Sequence, residues 1–421
     1  MEPRCPYAHT LDTLGSDLHA EAAHLRTHGP AVRVGLPGGV SAWSVTRADV
    51  ARQLLTGNRL AKNARRHWPD WIEGRVGPDW PLASWVAVES MFTSDGADHH
   101  RLRMLTAPAF SPRRVEALRP RVRAIVDTLV GALRAAAPGE TVDLHSRLSY
   151  PLPTTLICDL FGVPEEQRPE VRRVVDGVLE TDASPEQARA VLDDLFAAMA
   201  RLAATKRESP GDDMTSELIA TRAADGDRLS EKELVSTLIL MIGAGSETAV
   251  NLIDHTVALL LSHPGQLALI RSGGATWRDA IEESLRLEPP VMHLPMYFAA
   301  EDVDLGEGVL IRAGEPVLFA FGAAGRDPGL HPDRPEDFDL TRADKTHLAF
   351  GHGRHYCLGA ALGVMEAEEA LGALFGAFPG IELAVPEDRL RPQESFIVNA
   401  LRDLPVRLEP AAGERAAVAA G

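Results

Sequence analysis

The chain has 421 residues, 45% hydrophobic and 24% charged, an ordinary globular balance that allows one deep core without obliging several domains. Its net charge of −17 excludes a general nucleic-acid binder, which carries a basic footprint, but leaves room for a local basic patch facing an acidic protein. Three cysteines, Cys5, Cys158 and Cys357, make neither a disulfide framework nor a zinc spacing, and they suit a reducing, cytoplasmic setting.

In chain order, the stretch from Met1 to Leu25 carries Glu2, Arg4, Asp12, Asp17 and Glu21, so neither a signal peptide nor a membrane anchor is expected there. Ala31–Leu36 and Val40–Val45 alternate like short strands around the turn Pro37-Gly38-Gly39, and a helix is expected from Arg47 to Leu55. Residues Arg65 to Ser94 hold four of the six tryptophans, Trp68, Trp71, Trp80 and Trp85, among glycines and prolines. They read either as a functional loop or as aromatics anchoring a loop to the core.

Helical patterns dominate from His99 to Leu261, punctuated at Pro151, Pro164, Ser184-Pro185 and Pro210-Gly211, with a short helix expected between Gly211 and Asp227. Leu234–Leu261 is the most apolar stretch. Glu247, Asp254 and His255 interrupt it, so it is expected to be a buried core helix and not a membrane span. After Pro289 come strand-like pieces at Val303–Leu305, Val309–Ile311 and Val317–Phe321, then a helix over Leu358–Phe375, then further strands between Ile381 and Leu408. The expected fold is mainly α with a minor β part. The β-richer parts are 31–45, 291–321 and 381–408, the helical core 99–288 and 358–377, and no linker divides residues 1–421.

The most informative segment is Phe350-Gly351-His352-Gly353-Arg354-His355-Tyr356-Cys357-Leu358-Gly359. Composition alone gives about 6 × 10⁻⁴ chance matches to its Phe, Gly, Cys, Gly spacing, so an inert cysteine beside glycines is a poor explanation. Glycines 351, 353 and 359 permit a tight turn and close approach of a flat group. Cys357 precedes the expected helix, whose first amides favour a thiolate, and Phe350 is expected to cover the sulfur. A zinc site from His352, His355 and Cys357 lacks a fourth ligand.

This segment resembles the haem-binding loop of bacterial cytochromes P450. The resemblance implies the helical P450 fold, haem b held through Cys357 as the axial iron ligand, and dioxygen as co-substrate. Three further segments resemble the same family in the same order. Ala244-Gly245-Ser246-Glu247-Thr248 places a glycine, an acid and an alcohol in mid-helix, where glycine costs about 1 kcal/mol and a buried carboxylate more. The resemblance makes Ala244 and Gly245 an oxygen-binding kink and gives proton delivery to Thr248 and Glu247; the plain alternative is a threonine bonding back to its own helix.

Glu283 and Arg286, at i and i+3, resemble a structural Glu-x-x-Arg brace; Asp337 stands where relatives supply a basic third member, Arg342 is the other candidate, and the third member stays open. Asp95–Arg103 resembles the helix gripping the haem propionates, which gives His99 and Arg103 that role together with His355. One departure is Tyr297, a phenol where relatives carry arginine.

The resemblance also implies a pocket lined by Trp85 and Val86, the region Val171–Leu192, Leu240, Val291, Met292, His293, Leu294, Phe396, Ile397 and Val398. These are mostly apolar, so a lipophilic substrate of polycyclic, macrocyclic or steroid-like kind is expected. No Gly-x-Gly-x-x-Gly fingerprint for a fused reductase is present, so electrons from NAD(P)H are expected through a separate ferredoxin and its reductase, docking on Arg113, Arg114 and Arg354. A cytoplasmic monomer is expected. Two other readings stand beside the monooxygenase: a haem-thiolate oxidase that couples aryl groups without inserting oxygen, and a haem sensor or carrier without turnover.

Overall fold

The apolar run after Ser230 forms the axis of the molecule. It folds as one unbroken helix, Glu231–Ser262, started by a capping box in which Ser230 and Glu233 satisfy each other's backbone amides. It is apolar nearly all round and is buried almost throughout, as a helix without a polar face must be. Among the described residues it is the one helix long and apolar enough to cross a membrane, and it serves instead as the core. The computed structural model describes residues 8–137, 139–177, 184–221 and 228–409. Cys5, Asp225–Asp227 and residues 178–183 of the expected pocket wall therefore lie outside the described residues.

Helices Pro151–Leu160, Pro185–Glu208, Trp277–Leu287 and Ala360–Ala377 pack on the long helix, and Pro112–Leu133 packs on the first and last of these. Val122, Ile253, Leu260, Leu371 and Leu374 share one apolar cluster; Phe161, Met199, Leu202 and Leu238 share another. The final helix begins at Ala360, two residues later than expected, because Gly359 takes the cap position. The short helix after Gly211 is Met214–Ala220, capped by the Asp213 side chain.

The β part is a sheet of six short strands in the order His9–Thr10, Ala31–Gly35, Ser41–Val45, Pro316–Ala320, His293–Ala299, Leu60–Ala61. The expected hairpin is present, antiparallel, with Arg33 opposite Trp43. Its turn needs glycine at 38, where φ is +72° and an added Cβ would lie 3.0 Å from the Trp80 ring. Smaller sheets pair Val303–Asp304 with Leu310–Ile311, and Glu382–Leu383 with Pro405–Arg407 and Thr141–Asp143.

The tryptophan-rich segment is not a plain loop. It forms the short helical turns Ala64–His67, Pro69–Ile72, Ser84–Ala87 and Met91–Thr93. Trp68 and Trp80 are buried and meet each other edge-on, and Trp68 also stacks on Phe298. Those two are anchors; Trp71 and Trp85 stay half-buried.

The third member of the brace is Arg342. Arg286 pairs with both oxygens of Glu283 at 2.8 Å, and Arg342 Nε donates to the same carboxylate at 3.0 Å. Asp337 contributes its backbone carbonyl to Arg286, while its side chain pairs with Arg334.

Candidate active site

The cysteine loop is closed by its own backbone. Gly351 N donates to Leu348 O at 2.7 Å, and Cys357 N to Phe350 O at 2.9 Å. Gly351 and Gly353 have φ of +71° and +70°, and a Cβ at 353 would sit 2.5 Å from Leu55 O. Gly353→Ala is therefore expected to destabilise the protein by about 1–3 kcal/mol, read as a lowered midpoint of thermal unfolding. Gly359 differs: its φ is negative, and a Cβ there would meet Cys357 Sγ at 3.9 Å, so nothing in the chain demands glycine.

The Cys357 sulfur accepts backbone hydrogen bonds from Gly359 and Ala360, at the start of the final helix. Burial pushes its thiol pKa up, while these amides and Arg103 pull the other way. Phe350 packs against His347 and Tyr356. It is half-buried, and with Cys357 it lines a cavity of about 880 Å³ open toward solvent. That cavity mixes Arg119, Arg278 and Lys345 with Glu116, Glu282 and Asp344. The expected docking arginines are mostly committed elsewhere. Arg114 pairs with Glu217 but stays exposed, as does Arg113, and Arg354 bonds Gly57 O and the Asn58 side chain.

The long helix is uncovered at one place. Leu240 and Thr248 are half-buried and Ala244 is exposed, three positions spaced by four on one face. Gly245 is explained by packing: a Cβ would lie 2.8 Å from Ile157 Cδ1. The expected kink does not interrupt the helix. Thr248 Oγ1 donates to Ala244 O at 2.8 Å, so the back-bonded alternative is the observed arrangement, and the hydroxyl keeps its lone pairs for a further donor.

Glu247 is buried, and burial, with Asp176 and then Asp254 adding and His145 opposing, pushes its pKa up to about 7. His145 lies 2.7 Å from Asp254, and Tyr150 Oη donates to Asp176 at 3.2 Å. A cluster of titratable groups thus flanks Glu247. Local sequence gave no sign of it, because its members come from three separate elements.

His99, Arg103, His355 and Tyr297 converge. The rings of His99 and His355 are 4.3 Å apart, and Tyr297 stands 6.1 Å from His355. Both His99 Nε2 and His355 Nε2 are buried with no hydrogen-bond partner, and burial lowers the pKa of each ring. Arg103 Nη2 donates to Tyr356 O at 2.8 Å, tying the helix Gly96–Thr106 to the cysteine loop. Lys62 joins this group and was missed in the sequence, since a lone lysine belongs to no motif.

The expected pocket residues divide. Residues 291–294 and 396–398 are brought together, with Met292 N donating to Ile397 O at 2.7 Å and Val291 bridging Val398. Val86, Met292, His293, Phe396, Ile397 and Val398 are fully buried, and all but His293 belong to one apolar cluster. They pack among apolar neighbours. His293 lies 2.8 Å from Phe396 O, which spends its Nδ1 on the fold. Trp85, Leu240, Val291 and Leu294 keep exposed surface.

The donors fit a haem. Two buried imidazole nitrogens without partners suit carboxylates, an uncovered stripe in mid-helix suits a flat face, and a cysteine sulfur under two amides suits an iron ligand. Comparison with known proteins agrees. The family model for cytochrome P450 matches residues 277–402. The chain is 47% identical over 415 residues to 2-hydroxy-5-methyl-1-naphthoate 7-hydroxylase of Streptomyces carzinostaticus, covering 99% of this chain and 100% of that one. It is 40% identical over 403 residues to cytochrome P450 monooxygenase PikC of Streptomyces venezuelae, covering 94% and 93%. The solved structure of CYP154A1 from Streptomyces coelicolor A3(2) superposes with a TM-score of 0.91 at 50% identity, covering 96% of this chain and 100% of that one. With fold, loop and near full-length relatives in agreement, the chain belongs to the cytochrome P450 family and is a haem-dependent monooxygenase of the actinobacterial type.

Proposed function

We propose that this monooxygenase inserts one oxygen atom into a lipophilic fused-ring natural product, with electrons from a separate ferredoxin and its reductase. The observation that carries the substrate class is the set of half-buried aliphatic side chains Val291 and Leu294, with Leu240 at the end of the helix stripe. Aliphatic groups of this kind favour a flat apolar partner. The naphthoate named for the Streptomyces carzinostaticus relative is such a molecule.

When bound, the haem supplies reductive activation of dioxygen. Cys357 would hold the iron, its sulfur oriented by the amides of Gly359 and Ala360. His99, Arg103 and His355 would hold the propionates. Thr248 orients a proton at its hydroxyl, and Glu247 is the acid that replenishes it. A pKa near 7 leaves Glu247 about half protonated at neutral pH, poised to give and regain a proton.

Glu247→Gln is expected to slow turnover by about 100-fold or more. The acid form is lost as pH rises through about 7, so the wild-type rate falls there, and the variant's residual rate does not follow that limb. A variant that keeps both wild-type turnover and its limb removes Glu247 from the proton path.

The substrate reading is tested by titrating naphthoates, tricyclic aromatics, a steroid and a macrolactone and recording the spin-state shift of the Soret band. The fused-ring aromatics should give the largest shift, and their products one atom of label from ¹⁸O₂. A shift confined to the macrolactone overturns the substrate class; unlabelled, coupled product overturns oxygen insertion.

A further inference from the structure

Lys62 follows the two-residue strand Leu60–Ala61 and is 1% exposed, the one lysine among the described residues to be fully buried. Its backbone is pinned, because the amides of Lys62 and Asn63 both donate to the Asp95 carboxylate at 2.8–2.9 Å. Its ammonium has three protons to give. Among the described residues its hydrogen-bond partner is Pro295 O, at 3.1 Å. The rest of its surroundings are aromatic faces, Phe92 at 3.6 Å and Tyr297 at 4.2 Å from ring centroid to Nζ.

A buried ammonium is costly unless an anion faces it. Asp95 is near but is already engaged by the two amides. Around Lys62 stand two imidazoles: His355 feels its charge, His99 packs on His355, and both leave a buried Nε2 without a partner, which donates in the tautomer protonated there. The group has a surplus of positive and neutral donors converging on one place and lacks a free carboxylate to receive them. Tyr297 brings a buried ring and no charge.

We propose that Lys62 is a haem-binding residue, supplying to a propionate the positive charge that Tyr297 does not bring. The two residues act as a pair. The Tyr297 ring holds the ammonium against its face by cation–π attraction, and the lysine delivers the charge from the opposite strand.

The test compares wild-type holoprotein with Lys62→Met and Lys62→Arg by the rate of haem transfer to excess apomyoglobin, after the carbon monoxide spectrum has verified each as loaded. A charge-assisted hydrogen bond implies that K62M loses haem at least about 10-fold faster, with K62R within about 3-fold of wild type. Reconstitution with the dimethyl ester of haem supplies the second arm. With the carboxylates blocked, wild type and K62M should release it at equal rates. Wild-type retention by K62M overturns the proposal. So does faster loss that persists with the ester, which would assign Lys62 to packing against Phe92 and Tyr297. If K62M does not accumulate folded, Lys62→Gln, which keeps a donor for Pro295 O but removes the charge, is read the same way.

Discussion

Replacing Cys357 by alanine is expected to abolish the red-shifted Soret band of the dithionite-reduced, carbon monoxide-bound protein and to lower oxygenation by at least about 10³-fold, a small part of what enzymes of any class achieve over background. The sulfur sits at the start of the helix Ala360–Ala377, under the amides of Gly359 and Ala360, where negative charge is stabilised although burial alone opposes it. Serine is not a conservative replacement, because its hydroxyl ionises far too reluctantly to act as an anionic ligand. The control is Cys158→Ala. Cys158 is 1% exposed in the apolar cluster beside Phe161, and burial raises its pKa, so its loss should leave the spectrum unchanged. A C357A protein that loads haem and keeps the red-shifted band would assign the ligand elsewhere.

Arg286→Met is expected to cost about 3–5 kcal/mol of stability, measured by denaturant unfolding of the holoprotein, because it removes the main partner of a buried charge and leaves three carbonyls without this donor. Both Arg286 and Glu283 are wholly buried. All five guanidinium protons are used: two on Glu283, and three on the carbonyls of Gly325, Pro335 and Asp337 at 2.7–2.9 Å. The variant strips those three carbonyls of this partner and leaves Glu283 with Arg342 and the Asp339 amide. Lysine cannot rescue it, since an ammonium cannot reach so many acceptors in one plane. Arg342→Gln removes an outer member that is not fully buried and should cost roughly 1–2 kcal/mol. A larger cost at Arg342 than at Arg286 would reverse this ranking.

What could be read in the sequence was what local spacing determines. The cysteine loop, the Glu283–Arg286 pair and the long apolar helix each lie within a few turns of chain, and each formed where the residues indicated. The third brace member could not be fixed that way, because Arg342 lies 59 residues beyond Glu283, past four strands and a short helix. The pocket was half legible for a different reason. An apolar segment shows that it avoids water, but not whether it avoids it against neighbours or against a ligand. Met292 and Phe396 pack against neighbours, whereas Leu240 and Leu294 keep free surface. Lys62 and the groups around Glu247 were invisible because each is a single residue whose partners come from distant elements.

The backbone lock between residues 291–294 and 396–398 bears on how substrate preference can be changed. Met292 N and His293 N both donate to Ile397 O, so neither segment can shift without the other. Substitutions at Met292, Phe396, Ile397 or Val398 change core volume first and cost stability before they reshape any binding surface. Half-buried Trp85, Leu240, Val291 and Leu294 can change size without opening the core. A four-position library there samples new selectivities on an intact scaffold, while one built on the buried neighbours returns mostly unfolded clones.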